Sequence, residues 1–431
     1  MKINKSCLTV LIGTLFEYYD YTLYGFFATR ITQQFFPDDD PTIGLLKIFG
    51  IFVIGSLAKP LGSLIFSQIG DRNGRCPVLK FTLLGIGLPT TIIGCIPSYV
   101  EIGSLAPVLL LLCRIAQGMF VSAESDGARI FLFETLGSRF HYTASALSGT
   151  ACMCGIYAAS FAASTVLSHD FPEWAWRVPF VLSGVFGMLV LWFRTSLAET
   201  PEFIYQRKTY PQDKTADLYQ VILKNKSLVM STILITGSAG GCYHFYLVFF
   251  GNYLHSVLGI LDSALSSVYT SRAIVIFSIT ILAIAIAVDY FGEKIIMKVF
   301  KIFMVGLVSM IAINIYSINL GVFPQWVMLG TVFFMTPLHS IGLVLIYKRL
   351  QVDERFRCSS LGHAMGSMLF SGTAPLFSLW LWKVTHCQIS PLFYFLALSM
   401  VGYFSAKRLV NENVQKFQSL EIGIPFTPSE I

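Results

Sequence analysis

The chain has 431 residues, of which 55% are hydrophobic and only 13% are charged, and its mean hydropathy is +0.67. Because a soluble globular domain carries about a quarter charged residues, this composition excludes that class and indicates an integral membrane protein. The net charge of +6 comes from residues between the apolar segments, so it gives no indication of nucleic-acid binding.

Twelve apolar segments predict transmembrane helices along the chain. A helix needs about 20 residues to cross a bilayer, and none of these segments shows the period-two alternation of an outer-membrane β-strand. The fold class is therefore predicted to be all-α integral membrane, with twelve transmembrane helices in two six-helix halves. The segments lie at residues 9–33, 46–69, 78–98, 105–132, 143–168, 177–196, 227–254, 264–289, 297–317, 325–347, 360–383 and 390–407.

The longest hydrophilic stretch lies between the sixth and seventh segments. It predicts an N-terminal half at 1–197, a linker at 198–226, a C-terminal half at 227–409 and a tail at 410–431. Because basic residues favour the cytoplasmic side of a membrane, both termini and the linker are predicted to be cytoplasmic. The basic positions outside the linker are Lys2, Lys5, Arg72, Arg75, Lys80, Arg139, Lys294, Lys298, Lys301, Lys348, Arg349, Arg355, Arg357, Lys407 and Arg408, and the acidic positions of the opposite connections are Asp38, Asp39, Asp40, Glu101, Asp170, Glu173 and Asp262.

The first apolar segment contains two carboxylates, Glu17 and Asp20. Each costs on the order of 2.5 to 3.5 kcal/mol at the centre of a membrane helix, so some other feature must offset this cost. Their spacing of three places both on one helical face, and Tyr21 and Tyr24 follow each of them by four residues. This face predicts one wall of a water-filled cavity. The alternative is that both carboxylates reach the lipid headgroups from a helix end.

A short charged connection joins the second and third segments. It contains Asp71, Arg72, Gly74 and Arg75, and Gly74 provides the tight turn that such a short connection needs. Asp71 is placed to pair with a base or a helix end, which predicts a gating latch. The alternative is an ordinary polar connection with cytoplasmic basic residues.

Two connections resemble the signature loop of the major facilitator superfamily. The first is Ser67 to Arg75, and the second is Ala287 to Lys294, which contains Asp289 and is similar to the degenerate copy in the second half. Other stretches resemble the metabolite:proton symporter branch, almost throughout the first half but at few places in the second. They include GTLFEYYDYTLYGF at 13–26, KPLG at 59–62, RIAQG at 114–118, WAWRVPF at 174–180 and GTAP at 372–375. The resemblance implies a transporter in the bacterial inner membrane whose halves rock about a central site.

Arg114 lies inside the fourth apolar segment, where an unpaired guanidinium is costly. The resemblance implies that an acid of the first helix faces this arginine, so we expect an ion pair between Asp20 and Arg114, with Gln117 in the cavity. The alternative is an ion pair that only holds two helices together. Glu124 lies ten residues further on, where it predicts either a gate contact or a solvated helix end.

The second half offers an aromatic cluster and one cation within apolar segments. Tyr243, His244 and Tyr246 lie in the seventh segment, and Arg272 lies in the eighth. Together they predict a cavity wall for an anionic or zwitterionic solute. The alternative for His244 is an ordinary core position.

The predicted function is proton-coupled uptake of a small polar metabolite, such as an organic acid, an amino acid or a zwitterionic osmolyte. Asp20 and Glu17 are the expected proton acceptors, and Arg114 is their expected switch partner. The expected partners are the solute, protons and the bilayer, and the chain is expected to function as a monomer. Alternatives are a uniporter or exchanger on the same fold, or a membrane sensor that does not transport. The sequence has no Walker loop or hydrolase motif, and Cys152 and Cys154 form its only close cysteine pair, so no enzyme activity, cofactor or metal is expected.

Overall fold

The computed structural model describes residues 4–37, 41–168, 171–209 and 218–422 of the chain. Every regular element in these ranges is a helix. The sequence positions outside the described residues include Lys2, Asp38, Asp39, Asp40 and Asp170, part of the linker and the end of the tail.

The chain divides into two compact units. Unit 1 comprises Met1–Val229 and Leu350–Met368, and unit 2 comprises Met230–Arg349 and Leu369–Ile431. The α-helices before the linker are α1 (Lys5–Phe26), α2 (Ala28–Phe35), α3 (Pro41–Leu57), α4 (Lys59–Asn73), α5 (Arg75–Cys95), α6 (Tyr99–Ile102), α7 (Leu105–Leu136), α8 (His141–Ser168) and α9 (Arg177–Arg194). The linker forms α10 (Pro201–Thr209) and α11 (Leu218–Lys224).

The remaining helices follow in chain order, and several are interrupted by π-helical turns. They are α12 (Lys226–Tyr243), α13 (Phe250–Asn252), α14 (Ser263–Phe291), α15 (Ile296–Asn319), α16 (Gln325–Met335), α17 (Pro337–Tyr347), α18 (Val352–Gly366), α19 (Ala374–Thr385) and α20 (Ser390–Ile422). The π-helical turns are His244–Phe249, Tyr253–Val257 and Ser367–Ser371.

Within the described ranges, ten helical segments are long and apolar enough to cross a membrane. The other two predicted segments, the first and the last, are also helical, as α1 with 22 residues and α20 with 33 residues. They are not among the ten, so the count of twelve stays a prediction at these two helices.

The eleventh predicted segment begins earlier than expected. Its sequence becomes apolar at residue 360, whereas α18 begins at Val352 and carries Glu354, Arg355 and Arg357 as buried residues. Hydropathy misses this start because it treats charged residues as exposed, while here ion pairs to other helices of unit 1 compensate their burial. The boundary between the two units falls within the π-helical turn after α18.

Glycines let the helices of unit 1 approach closely around its centre. A Cβ atom on Gly118 of α7 would lie 1.8 Å from the carbonyl oxygen of Gly55 on α3. A Cβ atom on Gly155 of α8 would lie 2.1 Å from the carbonyl oxygen of Leu15 on α1. Such backbone contact is typical of membrane helices, which associate through small residues. It brings α7 against α3 and α8 against α1.

Candidate functional site

The two carboxyl groups of α1 lie inside unit 1. Glu17 is 0% exposed and Asp20 is 3% exposed, so neither reaches the surface as the headgroup alternative requires. Ser125 of α7 donates a hydrogen bond to Oε1 of Glu17, and Ser183 of α9 donates one to Oδ1 of Asp20 at 2.5 Å. The sequence indicated the two acids but not these serines, because nothing distinguishes them from other serines in apolar segments.

Arg114 does not form the expected ion pair with Asp20, which accepts a hydrogen bond from Ser183 instead. Nη1 of Arg114 donates instead to Oε1 of Gln117 at 2.8 Å, and Nε2 of Gln117 donates to Oγ1 of Thr90 at 2.6 Å. The expected ion pair between Asp20 and Arg114 is therefore wrong. Within the described residues, Arg114 forms no ion pair.

Three aromatic rings surround the guanidinium of Arg114. Its Cζ lies 4.9 Å from the ring centre of Tyr21, 4.4 Å from that of Tyr24 and 5.0 Å from that of Phe52 on α3. The negative faces of these rings attract the cation and so provide part of the compensation that we expected from Asp20. The helical spacing placed Tyr21 and Tyr24 beside the acids but did not indicate that they cover the arginine.

Lys59 of α4 lies on the same ring as Arg114. Its Nζ is 5.0 Å from the ring centre of Tyr21, whose hydroxyl is 3.2 Å from Oγ of Ser56. The hydroxyl of Tyr24 donates to the carbonyl of Ile48 at 2.9 Å. In the sequence, Lys59 stood out only as part of the family resemblance. The missed signal is that Lys59 is the only cation between Lys47 and Arg72 in an otherwise apolar stretch.

Glu124 is fully buried, so the alternative of a solvated helix end is wrong. It forms a two-point ion pair with Arg194 of α9, at 2.9 Å and 2.5 Å, and Thr82 of α5 donates to it at 2.6 Å. A Cβ atom on Gly13 of α1 would lie 1.8 Å from Nη2 of Arg194, so α1 also packs against this pair. Sequence reasoning missed Arg194, because a base near the end of an apolar segment usually marks the membrane surface.

Asp71 binds the first turns of α18. It accepts hydrogen bonds from the backbone N–H groups of Phe356 and Arg357 at 3.2 Å and 2.9 Å, and from Nε of Arg357 at 3.2 Å. Arg75 donates to Asp71 at 3.0 Å. Asp71 therefore accepts hydrogen bonds from two backbone N–H groups in the second turn of α18 and from two guanidinium groups.

Arg75 connects this contact to a second carboxylate. It donates to Glu134 of α7 at 2.9 Å and 3.2 Å, and Arg355 of α18 donates to the same carboxylate at 2.8 Å. The chain reverses at Gly74 with φ of 105°, and a Cβ atom there would lie 2.2 Å from Oε2 of Glu199. Arg72, by contrast, is exposed. Sequence reasoning missed Glu134, for which the sequence gives no signal beyond a charge at the end of an apolar segment.

His363 of α18 was given no role from the sequence. Its Nδ1 lies 2.7 Å from Oδ1 of Asp126 on α7, and Nη1 of Arg129 lies 3.6 Å from the same oxygen. This contact adds a second polar connection between α18 and α7.

The candidate residues of unit 2 lie in different surroundings. Tyr243 packs on Phe277 with 5.5 Å between ring centres, and Nδ1 of His244 lies 2.8 Å from the carbonyl of Gly240. Tyr246 is fully buried and donates to Asn314 at 2.7 Å. Arg272 is exposed and donates to Gln325 at 2.6 Å, and Asp289 is half-buried near the end of α14.

The chain is similar to known membrane transporters. A family model described as "Sugar (and other) transporter" matches residues 6–230. The proline/betaine transporter of Salmonella typhimurium (strain LT2) is 27% identical over 429 residues, which cover 93% of this chain and 82% of that protein. The citrate-proton symporter of Salmonella typhi is 28% identical over 410 residues, which cover 92% of each protein.

Solved structures share the fold. The proton:xylose symporter XylE bound to 6-bromo-6-deoxy-D-glucose has a TM-score of 0.73 at 14% identity, covering 93% of this chain and 94% of that one. FucP in the outward conformation has a TM-score of 0.67 at 14% identity, covering 93% of this chain and 97% of that one.

Proposed function

This chain belongs to the sugar (and other) transporter family of the major facilitator superfamily, and from this premise we propose that it takes up a small polar metabolite together with protons. It is a multi-pass membrane transporter and not an enzyme. The relatives are named as transporters of proline and betaine and as a citrate-proton symporter, which supports coupling to protons and a small polar solute.

The observation that carries this proposal is the pair of buried carboxyl groups on α1. Glu17 and Asp20 are buried within unit 1 and receive one serine hydrogen bond each. Oε2 of Glu17 is buried with no hydrogen-bond partner in the described part of the chain. Buried carboxyl groups within membrane helices are typical of the proton relays of transporters. Alternate exposure to the two sides of the membrane would therefore load and release protons at these groups.

Coupling between proton and solute follows from linkage. The protonated and deprotonated carboxyl groups would favour different arrangements of the helices. Proton binding and the side of the membrane to which the cavity opens must then influence each other equally. Arg114 would act on Asp20 through its positive charge whenever the two approach. A proton moving down the membrane potential provides about 2.3 kcal/mol per 100 mV for solute accumulation.

The remaining parts of the transport cycle are proposed from individual contacts. Tyr21, Tyr24 and Gln117 are proposed to line the cavity in unit 1, and Tyr243 and His244 to contribute substrate contacts in unit 2. Asp71, Gly74 and Arg75 are proposed as the gating latch, supported by their contacts to α18. Glu124 would hold α9 beside this gate through Arg194, and Asp289 would belong to a second latch. Tyr246 and Arg272 are left out, because Tyr246 is hydrogen-bonded in the core and Arg272 is exposed.

For the cellular arrangement, we propose a monomer in a bacterial inner membrane with both termini cytoplasmic. The bacterial relatives and the asymmetry of basic residues support this arrangement. Twelve spans, with α1 and α20 included, would place both termini on the same side.

The test is uptake of radiolabelled proline, betaine, 2-oxoglutarate, citrate and shikimate into proteoliposomes, with and without an imposed proton gradient. We expect the wild type to accumulate at least one of these solutes only with the gradient. Asp20→Asn, which cannot release a proton, is expected to lose accumulation while retaining exchange of solute across the membrane. Asp262→Asn is the matched control, because Asp262 is an exposed N-cap residue and asparagine also caps helices.

An equal, gradient-independent flux in the wild type and in Asp20→Asn would contradict proton coupling. It would instead support the alternative of a uniporter on the same fold. Accumulation that depends on an internal solute and not on the gradient would support an exchanger.

A further inference from the structure

The guanidinium of Arg114 has one edge without a partner. Nη1 is used by Gln117, but Nε and Nη2 are buried and have no hydrogen-bond partner in the described part of the chain. The whole residue is 1% exposed. Nε and Nη2 are neighbouring donors on the same edge of the guanidinium, and this edge binds both oxygens of a carboxylate. An unpaired edge of this kind inside a membrane protein is costly unless it serves a ligand.

A second cation, Lys59, lies near the same aromatic ring as Arg114, that of Tyr21. Nζ of Lys59 lies 5.0 Å from the ring centre of Tyr21, and Cζ of Arg114 lies 4.9 Å from it. In the described ranges, neither cation forms an ion pair with a carboxylate, and the acids of α1 use serines instead. The surroundings of Tyr21 therefore carry two positive charges without a matching negative charge.

We propose that Arg114 and Lys59 form the binding site for a carboxylate group of the transported solute. The two oxygens of this carboxylate accept hydrogen bonds from Nε and Nη2 of Arg114, and Lys59 provides a second positive charge across the ring of Tyr21. The solute is therefore a carboxylic acid or a zwitterion that carries a carboxylate, and not an uncharged sugar or a simple cation. This inference rests on the proposed function, because it names the chemistry that the same transport cavity recognises.

The different exposure of Lys59 and Arg114 indicates which of them the solute contacts first. Lys59 is half-buried, whereas Arg114 is almost fully buried beneath Tyr21, Tyr24 and Phe52. The solute carboxylate meets Lys59 first and reaches Arg114 when the aromatic rings move apart. The rings then remain beside the bound solute, where their faces also suit a positively charged group of a zwitterion.

Asp20 is the competing partner for Arg114, and the two possibilities predict different behaviour. If Arg114 serves only Asp20, its replacement changes proton coupling but not the choice between a carboxylate and its neutral analogue. If Arg114 binds the solute, its replacement removes that choice, while Asp20→Asn leaves the choice unchanged.

The experiment compares each acid with an analogue that lacks its negative charge. Proline is paired with prolinamide, betaine with choline, citrate with trimethyl citrate, and shikimate with methyl shikimate. Binding to the purified full-length protein is measured by ligand-dependent thermal stabilisation, and inhibition of exchange is measured in proteoliposomes without a gradient. We expect at least one acid to bind about 10- to 100-fold more tightly than its analogue, as a charge-assisted two-point hydrogen bond requires.

Three variants test which residues cause the tighter binding of an acid than of its analogue. Arg114→Gln is expected to remove it, Arg114→Lys to retain part of it, and Lys59→Gln to weaken it. Lys47→Gln is the matched control, because Lys47 is an exposed cation whose Nζ lies 5.2 Å from a different ring, that of Phe36. Asp20→Asn is expected to keep the preference. If Arg114→Gln does not fold, the inference is tested by comparing the preference for acids over their analogues between the wild type and Lys59→Gln.

Three results would overturn the inference. They are equal binding of acids and their analogues, an unchanged preference in folded Arg114→Gln, and no binding of any acid in the panel. Failure of the proposed function gives a different pattern, in which the wild type prefers acids in binding and exchange but accumulates none of them with a proton gradient.

Discussion

The Glu124–Arg194 ion pair is fully enclosed within unit 1. Both side chains are fully buried, and the guanidinium also donates to the backbone carbonyl of Leu79 on α5. Two charges removed from water are stable only while both are present, since loss of either leaves the other buried and unpaired. The pair therefore connects α5, α7 and α9.

Arg194→Met is expected to destabilise the protein by about 3–5 kcal/mol, because it leaves the carboxylate of Glu124 buried without its cation. The double variant Arg194→Met with Glu124→Gln is expected to recover part of this loss. The free energy of unfolding, measured by denaturant titration in detergent, checks both expectations. The control is Arg408→Gln, which removes an exposed pair with Glu412 and is expected to cost less than about 1 kcal/mol. Equal stability of Arg194→Met and Arg408→Gln would contradict the argument.

At the scale of helices, the contact between α3 and α7 determines where Arg114 lies. Gly55 and Gly118 allow the two backbones to touch, and a Cβ atom on Gly55 would lie 2.7 Å from the carbonyl oxygen of Arg114 itself. Phe52, which covers the guanidinium, is on the same helix as Gly55. Separation of these helices would therefore also move Phe52 away from Arg114.

Gly118→Val is expected to lower both the melting temperature and the affinity for any bound acid, because its side chain would overlap the backbone of α3. Gly25→Ala in α1 is the control. A Cβ atom on Gly25 meets nothing within 4 Å, and alanine favours a helix over glycine by roughly 1 kcal/mol. Thermal unfolding and ligand stabilisation of the two variants test this. A Gly118→Val protein that melts and binds like the wild type would show that α3 and α7 can separate without consequence.

The helices themselves could largely be predicted from hydropathy, whereas the partners of their polar groups could not. The fourth segment, predicted at 105–132, is α7 at Leu105–Leu136, because a long apolar run in a membrane has few alternatives to a helix. The start of α18 was missed, since its charges suggested a connection. Spacing along one helix identified Glu17 and Asp20, but contacts such as Ser183 with Asp20 join residues 163 positions apart and depend on tertiary packing.

At the scale of the whole molecule, α18 has an unusual position in the chain. It belongs to unit 1 by its contacts, although it follows the long series of unit 2 helices in sequence. Asp71, Arg75 and Glu134 bind its first turns through a connected set of hydrogen bonds. Cys358, which directly follows Arg357 in α18, is 0% exposed in this arrangement.

Asp71→Asn is expected to increase the accessibility of Cys358, because a neutral amide binds two guanidinium groups and two backbone N–H groups less well than a carboxylate. The rate of maleimide labelling at Cys358, followed by mass spectrometry of the full-length protein in proteoliposomes, measures this change. Arg72→Gln is the control, since Arg72 belongs to the same connection but is exposed. Labelling of Asp71→Asn at the wild-type rate would show that Asp71 does not hold α18.

The late position of α18 also affects how the protein is made. The ribosome completes Val229 roughly 140 residues before Met368, which at about 5–20 residues per second is a delay of roughly 7 to 30 s. During this interval Asp71, Arg75 and Glu134 already exist in the nascent chain but lack their contacts to α18. The first helices must therefore enter the membrane with hydrated charges at their ends, and unit 1 completes its folding only after most of unit 2 has been synthesised. Complete folding of unit 1 is thus expected to depend on the translation of Leu350–Met368.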